Sequence, residues 1–134
     1  LVLAMMGNKN IHLVESDRKK CIFLREVAML SETDVIIHNK RIENLDFFDV
    51  ELVVARALAP LNKLIEYTEF FTNKALITQE FPKMLFLKGN SYKKEILELN
   101  KKECFSIREF ESITNKFSKI LYINKINMLN IKHE

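Results

Sequence analysis

Apolar and polar positions alternate between a period near two and a period near 3.6 along the chain, and the switches mark its elements. Leu1 to Met6 predicts the tail of a helix, with Gly7-Asn8 as its stop. Ile11 to Val14 is a short β-prone run ending at Glu15-Ser16-Asp17, where a helix starts with Ser16 or Asp17 as its cap. Phe23, Val27 and Leu30, with Leu24 and Ala28, then recur at helical spacing. Val35 to His38 predicts a second strand, followed by the polar stretch Asn39 to Asn44. Asp49 to Ala55 is almost continuously apolar, as expected of a third strand buried on both faces. Pro60 opens a helix that runs to about Phe71. Met84 to Leu87 predicts a fourth strand, stopped by Lys88-Gly89, and Tyr92 to Leu99 a further helix. Cys104 to Phe110 and Lys119 to Ile123 close the chain as a hairpin. Strands alternating with helices imply an α/β fold with a mostly parallel sheet.

The 134 residues suffice for one domain with a core, or part of one. Only two glycines and two prolines are present, few for a fold whose tight turns recruit Gly. A net charge of +3 adds only a faint preference for anionic partners. Cys21 and Cys104 form no CxxC pair, and Cys21 falls in a helical apolar pattern that reads as core. The apolar runs are far shorter than a membrane span, and Leu1 to Met6 has neither a basic leader nor a cleavage site. The expectation is therefore a soluble cytoplasmic protein without a disulfide. His12, His38 and His133 have no metal-ligand spacing, so no metal is expected, and no serine or cysteine triad can be argued from residue order.

In open α/β sheets ligands sit at the carboxyl ends of the strands. A carboxylate there can accept two hydrogen bonds side by side from a ribose diol. Glu15 stands at such a place, where a plain helix-start charge is the equally simple reading. The surrounding words are more specific. His12-Leu-Val-Glu-Ser-Asp17, Lys19-Lys20-Cys21 and Phe23-Leu-Arg-Glu26 resemble a strand and helix of the bacterial 16S rRNA guanine-N7 methyltransferases, also called the glucose-inhibited division protein B family. The resemblance continues through Arg41-Ile42-Glu43, Ala55-Arg56-Ala57-Leu58-Ala59-Pro60-Leu61, Phe86-Leu87-Lys88-Gly89 and Ser112-Ile113-Thr114 before Lys119 to Ile123, covering nearly the whole chain in order.

That resemblance implies a class I methyltransferase, Rossmann-like fold with S-adenosylmethionine as cofactor and a guanine in the decoding region of 16S rRNA as substrate. It implies that Glu15 holds the ribose, that Ile42 and Glu43 flank the adenine, and that Arg56 lies at the cofactor site. Arg18, Lys19 and Lys20 crowd a first helical turn, where cations oppose the helix dipole. An RNA phosphate would offset that cost, with Arg25, Arg41 and Lys88 adding to the same surface; solvated side chains balanced by Glu15 and Asp17 are the plainer alternative.

Family members carry a first strand and a glycine-rich turn ahead of the segment matching Leu1 to Met6. The sequence at hand starts after them and is expected to be an N-terminally truncated, single partial domain. Without that strand, Ile11 to Val14 and Asp49 to Ala55 are expected to lose a common neighbour and leave backbone edges open. Two functional readings stay open on the sequence: part of a methyltransferase completed by a separate N-terminal polypeptide or by residues upstream of Leu1, or a catalytically inactive gene fragment acting at most as an interaction or RNA-contact remnant. A general nucleotide-binding module is a third, which leaves the Arg-Ala-Leu-Ala-Pro word unexplained.

Overall fold

The computed structural model describes residues 1–46, 48, 50–56, 59–73, 81–113 and 116–126. They form two compact units, Leu1–Asp46 and Phe47–Glu134.

The first unit holds helix α1 (Val2–Met5), strand β1 (His12–Val14), helix α2 (Arg18–Leu30) and strand β2 (Ile36–His38). As the pattern predicts, α1 stops at Gly7, whose φ of 98° is the left-handed conformation a helix terminus uses. The Gly7 amide donates to Ala4 O and the Asn8 amide to Leu3 O, closing a Schellman motif. Of the two candidate caps for α2, Asp17 is the one used: its carboxylate accepts from the Lys19 and Lys20 amides at 2.9 and 3.4 Å. A second Schellman motif ends α2, with Glu32 donating to Met29 O and Thr33 to Ala28 O. Here Glu32 itself takes the left-handed conformation, at φ 51°. Strands β1 and β2 pair in parallel, Val14 opposite His38, and the Glu15 amide extends the ladder to His38 O at 3.0 Å. A 3₁₀ turn, Ile42–Asn44, follows β2.

The second unit holds β3 (Leu52–Arg56), α3 (Leu61–Asn73), β4 (Lys83–Lys88), α4 (Tyr92–Leu97), β5 (Phe105–Glu111) and β6 (Lys119–Lys125). Its sheet runs β3-β4-β6-β5, with β3 and β4 parallel and the closing hairpin antiparallel, so the sheet is mixed. Met84 and Phe86 of β4 and Leu121 and Ile123 of β6 are fully buried. Leu61, Leu64 and Ile65 of α3 join them, with Leu61 also fully buried. Burying each such side chain contributes about 1.5–3 kcal/mol. Thr68 sits on the same helical face, its hydroxyl donating to Leu64 O at 3.0 Å.

One expectation is corrected. Strand β3 is not buried on both faces: Val53 and Ala55 pack on the core, while Leu52 and Val54 are 45% and 42% exposed. The reason is in the pairing. Among the described residues β3 has one neighbour, β4, and α3 and α4 supply apolar partners only to the face carrying Met84 and Phe86. Likewise β1 pairs with β2 alone among the described residues. The expected start of β3 at Asp49, the Ala57-Leu58 step, Thr114 and His133 lie outside the described residues.

Candidate functional site

Parallel pairing brings the carboxyl ends of β1 and β2 to one end of the first unit. Glu15 leaves β1 there and Asn39 to Glu43 leave β2. The Glu15 backbone is held from both sides. Its amide donates to His38 O, and its carbonyl accepts from Asn39 Nδ2 at 3.0 Å and Cys21 Sγ at 3.2 Å. The half-buried side chain accepts the Asp17 amide through Oε1 at 3.2 Å; among the described residues Oε2 makes no polar contact. Ile42 and Glu43 open the 3₁₀ turn that follows β2, and both are half-buried. Arg41 precedes that turn and is exposed.

Arg18, Lys19, Lys20 and Arg25 are all exposed on α2. No acidic residue lies in the first helical turn; Asp17 at the cap is the carboxylate nearest in sequence to the three leading cations.

Two histidines lie side by side on the paired strands. His12 Nδ1 and His38 Nε2 are 2.9 Å apart, the rings nearly parallel with centroids at 5.2 Å. Burial holds the His38 pKa below its ordinary value, helped by the charges of His12 and Lys40 and opposed by Asp46. Among the described residues no group of three or more His, Cys, Asp or Glu side chains could hold a metal ion.

In the second unit Arg56 ends β3 with its side chain exposed, and pairs in register with Leu87. Lys88, the last residue of β4, departs from expectation. It does not join an outward basic surface: it is only 6% exposed and bridges Glu95 of α4 at 2.8 Å. Its ammonium also donates to Ala59 O at 2.7 Å. Glu95 in turn accepts the Leu61 amide at 2.9 Å and the Ser91 hydroxyl at 3.0 Å. The alternating pattern of β4 turns Met84, Phe86 and Lys88 to the same inner face, and a buried ammonium must then find a carboxylate. Asn39, Cys21 and Glu95 are the residues that pattern reading misses as site elements. Asn39 and Glu95 act through partners 24 and 34 residues away, and Cys21 through its thiol on a carbonyl six residues back. The i,i+4 spacing of Ser91 and Glu95 ahead of an apolar position was the only local signal.

With that geometry in place, the chain compares with known proteins as follows. The sequence profile of the family described as rRNA small subunit methyltransferase G matches residues 1–124. The chain belongs to this family. A ribosomal RNA small subunit methyltransferase G from Paramagnetospirillum magneticum is 39% identical over 127 residues, covering 95% of this chain and 59% of that protein. The chain spans about three fifths of the length of the family members it matches. Among solved structures, an rRNA methylase from Streptococcus thermophilus superposes with a TM-score of 0.61 at 9% identity, over 92% of this chain and 77% of that one. The N-methyltransferase NodS from Bradyrhizobium japonicum, solved with S-adenosyl-L-homocysteine, superposes at 0.52 and 8% identity, over 87% and 66%. The fold is thus the α/β, Rossmann-like fold of class I methyltransferases, as the family resemblance implies. Among the described residues no helix is long and apolar enough to cross a membrane.

Proposed function

We propose that this chain forms the cofactor- and RNA-facing part of a 16S rRNA guanine-N7 methyltransferase that uses S-adenosylmethionine. The observation that carries the reading is the family match over residues 1–124 together with a fixed carboxylate, Glu15, at the carboxyl end of β1.

The residues fit the nucleoside half of such a cofactor. A carboxylate with a locked backbone and an uncommitted Oε2 suits a ribose diol, and the turn at Ile42 and Glu43 offers an apolar and a polar neighbour for a purine edge. When bound, S-adenosylmethionine supplies a methyl group on a sulfonium, an electrophile that needs no activation by acid. Guanine N7 carries a lone pair and no proton, so no residue of this chain has to act as a base. The work left to the protein is orientation: Glu15 fixes the nucleoside, and Arg56 adds positive charge for a carboxylate or phosphate. Holding nucleophile and methyl in line supplies most of the acceleration that such a reaction requires.

Arg18, Lys19, Lys20, Arg25 and Arg41 form the proposed contact to the rRNA phosphates, each released counterion making binding salt-dependent. Lys88 contributes through Glu95 rather than by touching RNA.

The test is a calorimetric titration with S-adenosylmethionine, alone and with the remaining segment of a relative added in trans. Glu15→Gln should weaken binding roughly tenfold, about what one hydrogen bond to a charged group contributes. Arg56→Ala should weaken it similarly. Unchanged affinity in both variants would show that the site lies elsewhere.

A further inference from the structure

We infer that Asn39 is a positioning residue for Glu15, locking the turn after β1 so that the Glu15 carboxylate stays aimed at a ribose diol. The inference rests on the proposed role of Glu15 and adds a residue to it.

The geometry that carries it is a clamp on two consecutive carbonyls. Asn39 Nδ2 lies 3.0 Å from Glu15 O and 3.0 Å from Ser16 O. A side-chain amide has two N–H donors on one nitrogen, so a single Asn can serve both oxygens at once. The contact joins residues 24 positions apart, and it crosses from the end of β2 to the end of β1. The Glu15 amide is already fixed on His38 O, the residue just before Asn39. The backbone of His38 and the side chain of Asn39 therefore hold the amide and the carbonyl of Glu15, in the two peptide groups that flank its Cα. Cys21 Sγ adds a second contact to the Glu15 carbonyl, from the buried side of α2.

This turn needs such a grip. The chain leaves a three-residue strand, uses no glycine, and must present Asp17 as the cap of α2 two residues later. A freely rotating Glu15 would spend most of its time in rotamers that face water. Held as observed, its Oε1 is tied to the Asp17 amide and Oε2 is left to a ligand. Asn39 itself is exposed, so its amide is available to hold the turn without a cost in core packing.

The experiment compares two probes, S-adenosylhomocysteine and its 2′,3′-dideoxy analogue, by calorimetry on the wild type, Asn39→Asp, Asn39→Ala, Glu15→Gln and the Asn39→Asp/Glu15→Gln double variant. Asn39→Asp keeps the shape and removes both donors. We expect it to weaken S-adenosylhomocysteine three- to tenfold and to leave the dideoxy analogue unchanged, with Asn39→Ala behaving alike if the acidic variant folds poorly. In the Glu15→Gln background the Asn39 substitution should cause no further loss, because the two act on one interaction. A lower Tm with the ratio of the two affinities intact would overturn the inference, leaving Asn39 a purely structural staple. So would additive losses. If Glu15→Gln itself leaves the ratio at its wild-type value, or the wild type does not discriminate between the probes, the ribose role fails and the inference falls with it.

Discussion

At the scale of single residues, the side chains that decide most are those whose charge has few places to go. His38 is one. Its Nε2 faces His12 Nδ1 at 2.9 Å, a contact that works with one proton between the nitrogens and is lost when both rings are cationic. Burial, then His12 and Lys40, favour neutral His38 over the cation, outweighing Asp46. The folded state therefore binds fewer protons than the unfolded chain once the pH falls to the ordinary histidine value near 6.5. The stability linked to this group is complete above that pH and is lost as the pH falls through and below it. We expect the urea midpoint to drop between pH 7.5 and 5, and His38→Gln to flatten that part of the profile; an equal slope in the variant would remove His38 as the cause. Lys88 is the second case. With 6% and 12% of the Lys88 and Glu95 side chains exposed, deleting one partner strands the other. Lys88→Met should cost about 3–5 kcal/mol in urea unfolding. Adding Glu95→Gln should recover part of that, since the amide oxygen still accepts the Leu61 amide without a buried charge. Neither residue announces this role in the sequence. A lysine at a strand end reads as a surface cation until the pleat of β4 is known to turn it inward.

At the scale of elements, the order of helices and strands was legible from apolar spacing, because each stretch carries its own period. The boundaries moved by one to three residues where backbone hydrogen bonds, not side chains, set the end. The β3 segment shows the limit of that reading. A run such as Leu52-Val53-Val54-Ala55 is compatible with burial on both faces, and only the partners of each face decide. The helix termini show the reverse. Asp17 was identifiable as a candidate cap, and Asp17→Ala should destabilise α2 by about 1 kcal/mol, read as a shift in urea midpoint. Glu32 gave no signal, because the left-handed terminus of a helix normally selects glycine. With two glycines in the chain, Asn10, Glu32 and Lys101 take positive φ instead. Glu32→Gly should then stabilise the protein, by an amount approaching 1 kcal/mol, despite removing a side chain; a loss of stability would show that Glu32 makes a contact worth more than its strain.

At the scale of the whole molecule, the two units differ in how their backbone is protected, and this has a measurable consequence. In Phe47–Glu134, β4 pairs on both sides, with β3 and β6, and β6 pairs with β4 and β5. Their inward residues Met84, Phe86, Leu121 and Ile123 are fully shielded from water. In Leu1–Asp46 the sheet has two strands of three residues each, covered by one amphipathic helix whose described buried residues are Cys21 and Ala28. A two-stranded sheet is marginal in water without packing against it. The proposed site elements Glu15, Asn39, Ile42 and Glu43 thus sit in the thinner unit, while Arg56 and Lys88 sit in the thicker one. Ligand-binding segments are commonly drawn from the less stable part of a protein, where a bound molecule can supply the missing contacts. We therefore expect native-state hydrogen exchange to divide the chain. Amides of Met84 to Leu87 and Leu121 to Ile123 should exchange only through global unfolding, and those of Leu13, Val14 and Ile37 to Asn39 through local opening at lower free energy. S-adenosylhomocysteine at saturating concentration should slow exchange in the β1–β2 amides far more than in β4 and β6, because a ligand stabilises most the segment whose opening removes its site. Uniform slowing, or none in β1 and β2, would separate ligand binding from this unit and with it from Glu15.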